Sequence, residues 1–316
     1  MKCIKNLVWP MLFLVLCIST TNAQLGHEKN IIKDSILVDG IWRVFEYHVP
    51  QFPSNNSRLV LVFHDNNMTP KVIQEVTGFE FNKLADKTAS TIVVYPQGYK
   101  NVWNHGQKNV DDVGFAKSIV QRMERRYHID RKNVFAVGYF NGGSMCYKLA
   151  QAAPDAFKGF AVIGTNMSLS SNGSRSLASK PVSIIIINDI ADTITPDNGN
   201  KVSSLNKIAI GKVKSTNETL NHWINLLGNN GAAPKPIVTS IEKSNSQAIR
   251  YDYSSEEKNK MVSLLKIMKG GYSFPNPNTK KWPQLGGEME KQINIPEIVI
   301  NFFYKIQYQD RQGLGK

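Results

Sequence analysis

Two short, almost uninterrupted apolar runs, at residues 59–63 and 182–187, constrain the fold of this chain more than any other feature. Strands with apolar side chains on both faces are covered on both faces, as in a parallel sheet flanked by helices. Further strand signals, rich in β-branched and aromatic residues, lie at residues 42–48, 91–95, 133–138, 159–163 and 261–268. The chain is therefore predicted to build one large, mainly parallel sheet.

Helical patterns alternate with these strands. The clearest runs from Val113 to Tyr127, where apolar residues recur every three or four positions behind Asp111 and Asp112, which favour a helix start. Further helices are predicted at residues 81–88, 142–152, 216–227 and 296–306. This alternation predicts an α/β fold with helices on both faces of the sheet and a ligand site beyond the carboxyl ends of the strands.

The first 23 residues differ in character from the rest of the chain. Two lysines precede an apolar run at residues 7–18 and the small residues Thr21 and Ala23, which is the pattern of a secretory signal peptide. The run is about a dozen residues long, whereas a transmembrane helix needs about 20. Leu16, directly before Cys17, argues against a lipoprotein anchor. We therefore expect export to the periplasm or the extracellular space, with no transmembrane span.

The rest of the chain contains no repeat, low-complexity tract or linker that would divide it. We predict a signal peptide at residues 1–23, an N-terminal leader at 24–34, one large α/β domain at 35–308 and a tail at 309–316. Removal of the signal peptide leaves Cys146 as the one cysteine, so no disulfide is expected.

Charge and motifs exclude several functional classes. The net charge is +13, from 38 Lys and Arg against 25 Asp and Glu, but the basic residues are scattered rather than clustered. Such scattering favours a solvated surface over a nucleic-acid interface. No cluster with metal-ligand spacing and no phosphate-binding glycine loop occurs in the sequence, so neither a metal nor a cofactor is expected.

Residues 133–144 have the pattern of a strand, a sharp turn and a helix. Gly138 and Gly142 frame the turn, where the backbones must approach closely and the turning residue is strained. This is the context of the nucleophile elbow, Gly-x-Ser-x-Gly. The central residue here is Phe140, so the elbow lacks its nucleophile.

With these residues the chain resembles the secreted α/β-hydrolases of the polyhydroxybutyrate depolymerase and feruloyl or acetylxylan esterase group. The resemblance extends over residues 35–304. Its markers share the order and spacing of that group: a strand ending in His64, Tyr-Pro-Gln-Gly at 95–98, Trp103-Asn104, Val-Asp-Asp-Val-Gly-Phe at 110–115, and Gly-Tyr-Phe-Asn-Gly-Gly at 138–143. The resemblance implies the α/β-hydrolase fold and ester hydrolysis by serine, aspartate and histidine in that chain order.

The resemblance also implies that Asp192 holds the position of the triad acid, Phe140 that of the nucleophile and Tyr272 that of the base. A phenyl ring cannot attack a carbonyl carbon, and a phenol with a pKa of about 10 accepts protons poorly at neutral pH. Loss of either partner costs on the order of a million-fold in turnover in a well-studied hydrolase. The sequence therefore predicts a pseudoenzyme, an esterase-like protein that is catalytically inactive.

The oxyanion hole is predicted to be altered as well. Asp65 follows the strand histidine His64, where the family has glycine, and its carboxylate is expected to repel a developing oxyanion. The backbone amide of Asn141, directly after the nucleophile position, is expected to remain in place.

The cleft is expected to be lined by aromatic side chains, namely Trp103, Tyr139, Phe140, Tyr272 and Phe274. Aromatic rings suit sugar and aryl ligands. The expected partner is therefore an ester-decorated polysaccharide, a polyester or an aryl ester.

Each altered position also has a structural interpretation. Phe140 either plugs the former substrate channel or stacks on a ligand. In this interpretation Asp192 is expected to accept hydrogen bonds from loop amides, and Tyr272 is expected to donate a hydrogen bond to Asp192. His64 fixes the local loop.

The second hypothesis is an enzyme, a weak or reorganised carboxylic-ester hydrolase. Ser144 and Cys146 follow the turn by about one and nearly two helical turns and are expected to be buried beneath the site. His105 is the histidine expected to face the cleft, so a rebuilt centre would have to use it. The polar segment 196–212 is expected to form part of the rim.

Overall fold

The computed structural model describes residues 31–103, 110–169, 180–190, 197–201, 212–228, 235–243, 246–268, 276–278 and 292–313. The predicted signal peptide, Asp192, Tyr272 and Phe274 lie outside these residues, as do His105 and most of the predicted rim segment. Among the helices of the described residues, none is long and apolar enough to cross a membrane.

Twelve strands and six helices form within the described part of the chain. The strands are β1 (Ile31–Val38), β2 (Ile41–His48), β3 (Arg58–Phe63), β4 (Thr91–Pro96), β5 (Val134–Tyr139), β6 (Gly159–Ile163), β7 (Ser183–Asp189), β8 (Asn200–Lys201), β9 (Lys212–Val213), β10 (Ile237–Lys243), β11 (Ser246–Ser255) and β12 (Lys260–Ile267). The helices are α1 (Pro70–Val76), α2 (Glu80–Thr88), α3 (Asp112–Tyr127), α4 (Asn141–Ala152), α5 (Thr216–Leu227) and α6 (Ile295–Gly313). Every strand and helix predicted from the sequence corresponds to one of these elements.

Ten strands form one sheet in the order β1-β2-β4-β3-β5-β6-β7-β12-β11-β10. The central pairs, from β4 across to β12, are parallel. Antiparallel strands extend the sheet on both sides, and β8 pairs with β9 in a separate small sheet. The predicted α/β class with a mainly parallel sheet is therefore confirmed.

The two apolar runs are central strands buried on both faces. In β3, Leu59 and Leu61 join one core with helices α3, α4 and α5, whereas Val60 and Val62 join the opposite core with α1, α2 and α6. The side chains of β7 alternate between the same two cores. Burial on both faces explains why these strands carry no polar alternation.

Helix α3, which precedes the elbow, begins as the sequence predicts. Asp111 caps it by accepting a hydrogen bond from the Gly114 amide at 2.7 Å. Asp112 is buried and accepts a hydrogen bond from Arg43 Nη2 at 2.7 Å, and the guanidinium lies 4.4 Å from the centre of the Phe115 ring. This buried ion pair joins α3 to strand β2.

The edges of the domain differ from the prediction. Strand β1 begins at Ile31, within the predicted leader, and pairs with β2 along its whole length. Helix α6 continues to Gly313, beyond the predicted boundary at residue 308. Strands β10 and β11 and helix α1 are also absent from the prediction, so the sheet is wider than the apolar runs alone indicate.

Candidate active site

Phe140 makes the turn between strand β5 and helix α4. Its backbone has φ 48° and ψ −106°, a conformation that is strained for a bulky residue. Its amide donates a hydrogen bond to Ile163 O at 2.8 Å, and its carbonyl accepts one from the Ser144 amide at 3.1 Å. The predicted strand, sharp turn and helix are thus present, and the turn has the strained geometry of a nucleophile elbow.

The two framing glycines are required by close backbone approach. A Cβ atom on Gly138 would collide with Gly142 O, and a Cβ atom on Gly142 would collide with Phe63 O. Gly143 is also constrained, because a Cβ atom there would lie 2.7 Å from Thr165 Cγ2. Helix α4 therefore packs directly against the ends of β3 and β5.

The Phe140 side chain points into the protein. Only 5% of it is exposed, and it belongs to the core on the α6 side of the sheet. The ring lies against Gly164, where an added Cβ atom would be 2.6 Å from Phe140 Cδ1. Gly164 has φ 71°, which glycine adopts without strain. This burial favours the interpretation of Phe140 as an apolar plug.

His64 lies at the carboxyl end of β3 and is fully buried. The Gly98 amide donates to its Nε2 at 2.9 Å, so Nε2 carries no proton, and Nδ1 lies 2.6 Å from Asp65 O, to which it donates. Burial lowers the pKa of His64 to about 4, against a smaller opposing effect of the hydrogen bond to Asp65 O. His64 is therefore neutral at pH 7 and occupied in holding two loops.

Asp65 lies in the loop after β3, and its carboxylate reaches the first residue of helix α4. Its Oδ1 accepts a hydrogen bond from the Asn141 backbone amide at 3.1 Å, and the contact is buried. The Asn141 side chain accepts a hydrogen bond from the Trp103 amide at 3.0 Å, and Trp103 Nε1 donates to His64 O at 2.8 Å. The loops after β3 and β4 are thus hydrogen-bonded to the first residue of α4.

Trp103 and Tyr139 do not line an open cleft, contrary to the expectation from the sequence. Tyr139 is 1% exposed and packs in the core, and burial raises the pKa of its hydroxyl. Trp103 is 3% exposed, and its ring meets Phe63 edge-on at 5.0 Å. Tyr139 is buried because it is the last residue of a strand that is covered on both faces. The Trp103 ring is buried because its Nε1 donates a hydrogen bond to His64 O.

The two residues considered as replacement nucleophiles lie along α4. Cys146 is fully buried, as expected, and burial raises the pKa of its thiol. Ser144 is partly exposed, so the expectation that it would be buried is wrong.

Sequence reasoning missed a buried polar network at the carboxyl ends of β6 and β7. Asn188 Nδ2 donates to Asn166 Oδ1 at 2.8 Å and to Thr216 Oγ1 at 2.9 Å. Thr219 Oγ1 accepts a hydrogen bond from the Met167 amide at 3.2 Å. The network fixes the end of the strand that precedes Asp192 to the start of α5. Asn188, a polar residue near the end of the otherwise apolar strand β7, is the sequence signal that could have revealed this network.

The chain on the far side of Tyr272 is also anchored. Asn276 Nδ2 donates to Thr77 O at 3.1 Å, and Asn278 Nδ2 donates to Glu80 Oε1 at 2.7 Å. These contacts place residues 276–278 beside the junction of α1 and α2.

Within the described ranges, no group of three or more His, Cys, Asp or Glu side chains is arranged to hold a metal ion.

No protein-family model matches the chain. A putative esterase, NocK, from Nocardia uniformis subsp. tsuyamanensis is 23% identical over an alignment of 283 residues, and the match covers 84% of this chain and 80% of that protein. A probable feruloyl esterase C from Aspergillus clavatus is 31% identical over an alignment of 189 residues, and the match covers 57% of this chain and 65% of that protein.

Among solved structures, the acetyl xylan esterase from Aspergillus awamori is similar in fold. It shares 14% sequence identity and a TM-score of 0.56, covering 86% of this chain and 99% of that one. The overall fold therefore recurs in an esterase of low sequence identity.

Proposed function

We propose that the chain is a catalytically inactive member of the group of feruloyl and acetylxylan esterases. It has the α/β-hydrolase fold and is related to these esterases, so the residues at its elbow decide its chemistry. We propose further that it is exported and that it binds an ester-bearing polysaccharide or polyester. The observation that carries the proposal is the buried phenylalanine at the nucleophile position.

Acyl transfer at an elbow needs an oxygen or sulfur atom at the tip of the turn. Phe140 supplies only carbon, and its ring is packed against Gly164 instead of facing solvent. The strained backbone that exposes a serine in an active hydrolase is thus present, but it carries a side chain that serves the core.

The described residues supply no ready substitute. Cys146 is a thiol held in its protonated form by burial, and thiolates rather than thiols are nucleophilic. Ser144 lies one helical turn beyond the elbow. His64 is hydrogen-bonded through both ring nitrogens and therefore has no free acceptor with which to activate a hydroxyl.

The proposed ligand follows from the relatives. The printed names of two relatives refer to feruloyl esters and to acetyl xylan, a polysaccharide that carries acetyl esters. A protein that keeps this fold without a nucleophile would retain such a ligand instead of cleaving it. The second candidate, a weak or reorganised ester hydrolase, is favoured by the names of the same relatives.

Hydrolysis of short-chain nitrophenyl esters and of a feruloyl ester separates the two candidates. We expect the native protein to equal a heat-killed control, and the variant Phe140→Ser/Tyr272→His to turn over at least one ester. Thermal denaturation of both proteins checks that they are folded. Turnover by the native protein clearly above the control would overturn the proposal.

Binding is tested separately by co-sedimentation of the native protein with insoluble acetylated xylan. Deacetylated xylan and cellulose serve as matched controls. We expect retention on acetylated xylan that is lost after deacetylation. Equal retention on all three polymers would refute the ligand while leaving the inactivity intact.

A further inference from the structure

The Asn141 amide is the first backbone donor of helix α4, and the Asp65 carboxylate lies on it at 3.1 Å. In the elbow of a hydrolase, the amide that follows the nucleophile stabilises the negative charge of the tetrahedral intermediate. A helix N-terminus favours such charge, because its amides are unpaired and the helix dipole is positive there. The amide suited to an anion is therefore already hydrogen-bonded to one.

We propose that Asp65 is a built-in anion that occupies the oxyanion hole, and that it blocks catalysis independently of the residue at the elbow. This inference rests on the proposed function, and it predicts that a variant with only the triad residues restored turns over ester more slowly than one in which Asp65 is removed as well. The Asp65 carboxylate acts by accepting the hydrogen bond of the Asn141 amide, so that this amide no longer stabilises an oxyanion. This effect is stronger than electrostatic repulsion of the oxyanion from a distance.

The surroundings hold Asp65 in this position. Its backbone carbonyl accepts a hydrogen bond from His64 Nδ1 at 2.6 Å, and His64 is itself held by the Gly98 amide at 2.9 Å. On the other side, Asn141 is tied through its side chain to the Trp103 amide at 3.0 Å. Asp65 and Asn141 are thus each held in place by a contact besides their own hydrogen bond.

This arrangement predicts opposite effects on stability and on catalysis. Removing the carboxylate leaves the buried amide at the start of α4 without its partner, which destabilises the fold. The same removal frees the amide for an oxyanion. A purely structural role for Asp65 would lower stability and leave the catalytic constants of a repaired enzyme unchanged or lower.

The test compares ester hydrolysis by Phe140→Ser/Tyr272→His with and without Asp65→Gly. We expect the added substitution to raise kcat about 100-fold, the effect of one oxyanion-hole donor, with KM within about twofold. The melting temperature should fall at the same time. Asp111→Asn is the matched control, since Asp111 caps the neighbouring helix α3 at 2.7 Å, and it should leave kcat unchanged.

Asp65→Asn in the same background separates occupation from charge, because the amide oxygen of asparagine accepts the same hydrogen bond without a negative charge. We expect it to gain much less than Asp65→Gly. A gain equal to that of Asp65→Gly would overturn occupation as the cause. A folded triple variant no faster than the double variant would overturn the whole inference.

These outcomes are distinct from failure of the proposed function, which is decided by turnover of the native protein alone. A second readout needs no repaired enzyme. The Asn141 amide proton should exchange slowly with solvent in the native protein, because the Asp65 carboxylate covers it, and it should exchange faster in Asp65→Gly. Equal exchange rates in the two proteins would contradict the contact.

Discussion

Replacing Phe140 by alanine and by glycine separates the packing of its ring from the strain of its backbone. Alanine removes the buried ring but keeps a Cβ atom at φ 48°. Glycine removes both. Phe135 is the matched control, because it lies in strand β5, is fully buried in the same core and has no positive φ.

The magnitudes follow from these geometries. Loss of a buried phenylalanine ring costs about 3–5 kcal/mol, so all four variants are destabilised. Replacing alanine by glycine normally costs a further amount of roughly 0.5–1 kcal/mol. At residue 140 the positive φ costs alanine roughly 1–2 kcal/mol that glycine does not lose, within the range for residues held in sparsely populated backbone regions. Phe140→Gly should therefore equal or exceed Phe140→Ala in stability, whereas Phe135→Gly should fall below Phe135→Ala.

Urea unfolding of the native protein and the four variants gives the free energies of unfolding. The quantity of interest is the alanine-to-glycine change at residue 140 minus the same change at residue 135, expected at about 1–2 kcal/mol in favour of glycine. Equal changes at the two positions would show that the elbow backbone is not strained, and the reasoning from its geometry would fail.

Two further predictions concern the loops around the elbow. The free energy of unfolding should fall by about 3 kcal/mol as pH drops from about 6.5 to about 4, because burial lowers the pKa of His64 to about 4 and only the unfolded chain takes up a proton in this window. Urea unfolding at several pH values should show a shallower dependence of this free energy on pH in His64→Gln. An unchanged dependence would contradict the assignment. Gly142→Ala should destabilise far more than Gly40→Ala, since the new Cβ atom meets the backbone carbonyl of Phe63 at the first position and nothing within 4 Å at the second; equal melting temperatures for the two variants would refute the close approach.

The centre of the sheet was predictable from sequence because its strands are covered on both faces. Continuous apolar runs record that burial directly, as in β3 and β7. The outer strands β1, β10 and β11 carry exposed or polar side chains and are held by antiparallel pairing with a neighbour. Pairing is a property of two segments, so a pattern within one segment does not reveal it.

Some features of the candidate site were likewise predictable from the sequence, whereas others depend on contacts between distant segments. Gly138 and Gly142 mark the turn because their reason is local, a backbone that tolerates no Cβ atom. The contact between Asp65 and the Asn141 amide joins residues 76 positions apart, and its geometry depends on how β3 and α4 pack. The inward direction of Tyr139 likewise depends on the register of β5 within the sheet.

The strained backbone of the elbow is present although Phe140 carries no nucleophilic atom. Gly138, Gly142 and Gly143 bring α4 into direct contact with the ends of β3 and β5, and that packing leaves one residue to reverse the chain. The positive φ of Phe140 is therefore a requirement of the sheet and the helix, whatever side chain occupies the turn. The side chains around it are free to change, and here carbon fills the tip while a carboxylate satisfies the Asn141 amide. Each change fills or satisfies a group that an active site leaves open for substrate, as the proposed loss of catalysis requires.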